Sequence, residues 1–130
     1  MNKFRIFRAN IPNAEGRVYP LQSLKKMIAN AERGTLFLKT KAFSPALEDV
    51  IGEVTELDLE GDEVVATVKF LDVPKAKPFL SIEGKLHEQL SIAAEWITKP
   101  ETTVERPDGT TEYNDILLQG VFVCPTKDKI

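Results

Sequence analysis

The chain has one histidine and one cysteine in 130 residues, and that scarcity excludes several chemistries at once. A lone Cys124 cannot close an internal disulfide. One histidine and one cysteine, His87 and Cys124, without a second paired set match none of the zinc spacings, so no metal and no cofactor is expected. No glycine-rich phosphate loop is present. Long apolar runs are missing too. Nothing approaches the ~20 residues of a membrane span, and Met1 to Arg8 mixes charges with aromatics where a signal peptide would be apolar. The expectation is a chain with no membrane partner. An excess of positive charge is also lacking: 17 Lys and Arg face 20 Asp and Glu, giving a net charge of -3, which argues against nucleic acid as a partner.

What is present is a hydrophobic fraction of 42%, enough for one core at this length, so residues 1-130 are expected to form a single domain. Phe4 and Ile6 alternate with Arg5, the period-two signature of a half-buried strand over Lys3 to Ala9. Turn formers from Ile11 to Arg17 lead to Tyr19-Pro20, and Pro20 suits the first turn of a helix. Leu21, Leu24, Ile28 and Ala31 then recur at helical steps, with Gly34 as the expected stop. Thr35 to Thr40 reads as a short strand and Phe43 to Asp49 as a loop. Ile51 to Leu59 and Glu63 to Leu71, separated by Glu60-Gly61-Asp62, predict a β-hairpin. Val64, Ala66, Val68 and Phe70 share one face, and Val65 and Leu71 on the other suggest that both sides are partly covered.

A short helix is expected over Pro78 to Glu83, ending at Gly84. Leu90 to Ile97 is a strand in which Ile92, Ala94 and Trp96 alternate with Ser91, Ala93 and Glu95, and Pro107-Asp108-Gly109 is a turn. The run from Asp115 to Cys124 is apolar on both faces and closes the domain as a buried strand, with Cys124 acting as a small core hydrophobe. The fold class is therefore α+β and β-rich: a small, mostly antiparallel β-barrel carrying two short helices. Phe4 is assigned to the core. Tyr19, Phe7 and Phe43 fit either the core or a contact patch.

Candidates for chemistry are few. His87 and Ser91 are a potential base and nucleophile, but four residues of extended chain separate them by about 13 Å, beyond hydrogen-bond reach. Among Lys85, Glu88 and Gln89, His87 reads as a solvated surface residue. The carboxylate pairs Glu53/Glu56 and Asp58/Glu60 read as solvated strand faces.

Five segments taken together carry a resemblance: Asn13 to Pro20 followed by a helix, Ile51-Gly52-Glu53-Val54, Val68 to Pro74, Leu90-Ser91-Ile92, and Ile116 to Val123. In order and spacing they resemble the prohead (capsid maturation) proteases of tailed bacteriophages, over about residues 11 to 125. The resemblance implies a β-barrel shared with herpesvirus maturation proteases. It also implies a role inside the assembling head, where such enzymes cleave scaffold and capsid segments. It places the serine nucleophile at Ser91, the base at Ser44 and the acidic residue at Gln119. A histidine is expected where Ser44 stands. Removing the base from a triad lowers the rate by several orders of magnitude, because a serine hydroxyl does not attack an amide unaided.

The first reading is thus a non-catalytic head-assembly or virion protein, active through contacts with the major capsid protein or scaffold, with self-association left open. Its setting would be the virion, or the host cytoplasm during assembly. A working serine endopeptidase using Ser91, with His87 or a partner's histidine as base, is the alternative. An unrelated β-barrel binding module is a third reading, favoured if the serine strand does not lie beside the Phe43 to Pro45 loop.

Overall fold

The computed structural model describes residues 2–31, 36–81 and 90–125. Strand β1 (Asn2–Arg8) opens the chain and pairs antiparallel with β5 (Glu63–Phe70). Its alternation breaks at Ile6, the extra residue of a bulge between Arg5 and Phe7, so Phe7 turns inward and is buried together with Phe4 and Ile6. Strict period two would have left Phe7 outside. A two-residue strand β2 (Arg17–Val18) follows, and Pro20 then caps helix α1 (Leu21–Asn30). Leu24 and Met27 bury its inner face, with Leu21, Ile28 and Ala31 packed at the margin. The helix ends earlier than the apolar spacing predicts. Ala31 is already extended at ψ 127°, and its N–H closes the last turn on Ile28 at 3.3 Å. The expected stop, Gly34, lies outside the described residues.

Strand β3 is short (Phe37–Lys39), and β4 (Val50–Glu60) forms the predicted hairpin with β5 around Gly61, whose φ of 66° suits glycine. Val64, Ala66, Val68 and Phe70 all point into the core as their alternation requires. A 3-10 turn at Leu47–Asp49 interrupts the segment read as loop, and another at Pro74–Ala76 leads into α2 (Lys77–Ser81). Glu83 and Gly84, the expected end of that helix, lie outside the described residues, as does His87. The chain resumes in β6 (Leu90–Thr98), passes through β7 (Val104–Glu105) and β8 (Thr111–Glu112), and finishes in β9 (Ile116–Pro125). Between β7 and β8, Asp108 accepts the Thr110 N–H at 3.0 Å and its hydroxyl at 2.6 Å, fixing the turn read at Pro107-Asp108-Gly109.

The main sheet has the order β1-β5-β4-β3-β9-β6, antiparallel throughout except where β3 meets β9. It curls until its edge strands approach, with the Phe7 ring of β1 at 6.5 Å from Trp96 of β6. Tyr19 and Tyr113 complete this seam: the Tyr19 centroid lies 4.9 Å from Phe7 and 5.7 Å from Trp96, edge to face. Tyr19 is thereby a core residue, whereas Phe43 is exposed. A three-stranded sheet, β2-β8-β7, flanks the seam. None of the described helices is long and apolar enough to cross a membrane.

Candidate functional site

Strand β6 lies at the sheet edge, and its two faces have different tasks. Ile92 and Ala94 point into the main core and Trp96 packs at its margin. Ser91, Ala93 and Glu95 occupy the opposite face, yet all three are buried, Ser91 at 2% exposure and Glu95 at 3%. Something covers this face. Part of the cover is the loop between β3 and β4: the Phe43 N–H donates to Glu95 Oε1, and Lys39 Nζ stands 3.2 Å from Glu95 Oε2. Phe43 adopts φ 53°, a left-handed conformation unusual for a bulky residue, so the carboxylate anchors a strained point of the loop. The serine strand therefore does lie beside the Phe43 to Pro45 loop.

Ser91 faces Cys124 across the β6–β9 ladder, and both are buried. The Ser91 hydroxyl has no hydrogen-bond partner among the described residues. A buried hydroxyl left unpaired costs about 1–3 kcal/mol, and most native structures avoid it.

Ser44, at the expected position of the base, is committed elsewhere. Its hydroxyl donates to Asp49 Oδ2 and accepts the Ala46 N–H at 3.3 Å, while Lys75 Nζ holds Asp49 Oδ1 at 2.6 Å. Asp49 is 4% exposed. Hydrogen bonds from Lys75 first, then Ser44, hold its carboxyl down at about 2, so it is anionic at neutral pH. The Asp49 backbone also accepts the Thr40 N–H at 2.9 Å, which ties the two ends of the loop together.

Gln119, at the expected acidic position, is the extra residue of a β9 bulge, because Glu95 pairs with Gly120 and Trp96 with Leu118. Gln119 is exposed and shares a cleft of about 400 Å³ with Lys39 and Glu95. Two buried carboxylates, Glu95 and Asp49, thus stand in this region, and sequence reasoning missed both. Glu95 had a legible signal: its face of β6 carries only Ser91 and Ala93 before it, and such small residues are what a covered strand face accommodates. Asp49 had none, because its burial depends on the loop's turn and on Lys75 from a distant segment.

A second cleft of about 550 Å³ opens between the loop and the sheet, lined by Arg17, Lys41, Phe43, Trp96, Phe122 and Cys124. Arg17 lies over the Trp96 ring at 5.4 Å and pairs with Glu15 at 3.1 Å. Burial pushes the nearby Tyr19 phenol up to about 12, so it stays protonated. Among the described residues no cluster of three metal-type ligands gathers anywhere.

No family model and no curated protein matches the chain. Among solved structures it is similar to the bacteriophage T4 capsid assembly protease, gp21, with a TM-score of 0.73 and 14% identity, covering 92% of this chain and 79% of that one. The chain has the prohead-protease fold. This extends the resemblance carried by the five segments to a fold likeness over 92% of the chain. Within the protease fold, the β6 strand bears Ser91 on its outer face and the β3–β4 loop bears Ser44, each in a different bonding state.

Proposed function

We propose that this chain is a bacteriophage head-assembly protein that uses the protease fold as a scaffold for contacts with the major capsid protein or scaffold, without turnover. One observation carries the reading. The side chain where the base is expected is a serine spent on Asp49, and the Ser91 hydroxyl has no acceptor among the described residues. Without a proton acceptor the hydroxyl is not activated. The fold likeness to a capsid assembly protease supports the setting: a prohead in the host cytoplasm, with the chain retained among head proteins.

The test is to mix the purified chain with the scaffold and major capsid proteins of its own phage. The expected result is co-assembly with no new cleavage products. Cleavage that disappears in Ser91→Ala overturns the reading.

The orphaned hydroxyl favours a second reading, because a serine held unpaired in a buried site is also how a nucleophile awaiting its base would look. In that reading the chain is a serine endopeptidase whose base is His87 or a histidine of a partner subunit. A serine-directed phosphonate would then label Ser91 in the assembled particle, and an unreactive Ser91 there removes the reading.

A further inference from the structure

The resemblance assigned the acidic partner of the site to the last strand, at Gln119. That residue is exposed on a bulge and is an amide. The side chain at position 44 instead touches a carboxylate directly. Ser44 donates to Asp49 Oδ2, and the other oxygen of the same carboxylate is occupied by Lys75 at 2.6 Å. A second observation concerns the other half of the site: the Ser91 hydroxyl is buried and unpartnered among the described residues. The two positions that the resemblance assigns to the site are thus in different bonding states: the Asp49 carboxylate is bonded to the side chain at position 44 and held on its other oxygen by Lys75, whereas the Ser91 hydroxyl has no partner among the described residues.

In a Ser-His-Asp triad the general base carries a carboxylate on one ring nitrogen, which holds the imidazole in one tautomer and stabilises the imidazolium. Asp49 meets the electrostatic and geometric terms of that role. It is buried, anionic at neutral pH, and presents Oδ2 to the side chain at position 44 while Lys75 takes Oδ1.

The geometry points to Asp49 as the orienting acid of position 44, so that this position is the vacated seat of an imidazole whose carboxylate partner is still in place on the β3–β4 loop. The inference rests on the reading that position 44 is where the base belongs. It replaces Gln119 by Asp49 and makes Asp49 a positioning residue.

The test is an NMR titration of the full chain carrying Ser44→His, with and without Asp49→Asn. The wild type contains His87 alone, which identifies the new imidazole signal by difference. Lys75 and Lys41 also face Asp49 and oppose protonation nearby, so the informative quantity is the difference between the two variants. The imidazole introduced at position 44 is expected to bind its proton at least about tenfold more tightly with Asp49 than with Asn at position 49, one pH unit in the titration. Coincident titrations overturn the inference. If Ser44→His does not fold, Ser44→Cys, close to serine in volume, carries the same test. Its thiol, told from Cys124 by mass spectrometry after alkylation, should ionise at a pH at least one unit higher with Asp49 than with Asp49→Asn, and equal values overturn the inference. Phosphonate labelling of wild-type Ser91 is measured alongside. Labelling there defeats the non-catalytic reading, whereas coincident titrations with unlabelled wild type defeat only the role of Asp49.

Discussion

Replacing Ser91 by alanine should make this protein more stable. The Ser91 side chain is 2% exposed and its hydroxyl has no hydrogen-bond partner among the described residues, so folding strips water from the hydroxyl and returns nothing. The penalty for such a group is about 1–3 kcal/mol. Alanine keeps the Cβ that packs opposite Cys124 and deletes one oxygen, leaving a space too small for a damaging cavity. Against this stands a loss of a few tenths of a kcal/mol in strand preference. The net expectation is a gain of about 1 kcal/mol, which in a chain of 130 residues corresponds to a rise of ~4 °C in Tm. Urea denaturation and calorimetry on the isolated chain measure both quantities. Thr67→Val is the internal control, since Thr67 is the other buried hydroxyl without a partner among the described residues and valine has its shape; it should gain a similar amount. If Ser91→Ala loses more than about 0.5 kcal/mol while Thr67→Val gains, Ser91 has a bonding partner and the account of an idle hydroxyl is wrong.

Glu95→Ala removes the acceptor of the Phe43 N–H and leaves Lys39 without this carboxylate, at about 3–5 kcal/mol, while Glu95→Gln keeps an acceptor and loses roughly half of that. Denaturation midpoints decide, and an alanine variant within 0.5 kcal/mol of wild type would show that the loop does not depend on this anchor. Asp49 gives a pH signature. Its folded carboxyl titrates at about 2, below the ordinary 3.8, so its contribution is complete above the ordinary value and fades as the pH falls toward 2. Asp49→Asn should flatten the stability profile between pH 4 and pH 2; an unchanged acid limb means that other carboxylates govern it.

Legibility in the sequence followed the range of the interaction. The β4–β5 hairpin was readable because alternation and a Gly61 turn act over neighbours, and α1 because Leu21, Leu24 and Ile28 repeat at the helical period. Phe7 was ambiguous because a bulge at Ile6 shifts the alternation by one, and nothing local announces the bulge. The parallel pairing of β3 with β9 was not readable at all, since it joins Phe37 to Gly120 across most of the chain. That close approach requires glycine: a Cβ at position 120 would meet the Phe37 carbonyl oxygen at 2.9 Å. Ser44 and Ser91 could be singled out as candidates from their segments, but their bonding states could not. Those states depend on Asp49, Lys75 and Glu95, whose positions are set by tertiary contacts.

Size does not explain why position 91 is a serine. Alanine keeps the Cβ opposite Cys124 at the loss of one oxygen, and among the described residues the hydroxyl adds only desolvation to the isolated fold. A group that costs about 1 kcal/mol in a protein whose whole stability is of order 5–15 kcal/mol is tolerable, yet it selects between the two readings by where the cost appears. In a non-catalytic shell the hydroxyl is idle everywhere, so Ser91→Ala should leave assembly with the head proteins unchanged and raise stability in both the free and the assembled chain. If a partner subunit supplies the base, the hydroxyl is orphaned only in the free chain. Ser91→Ala should then stabilise the free chain and weaken the assembled one, by the loss of a hydrogen bond worth about 1 kcal/mol. Thermal denaturation of the two forms, with and without the substitution, separates the cases by sign.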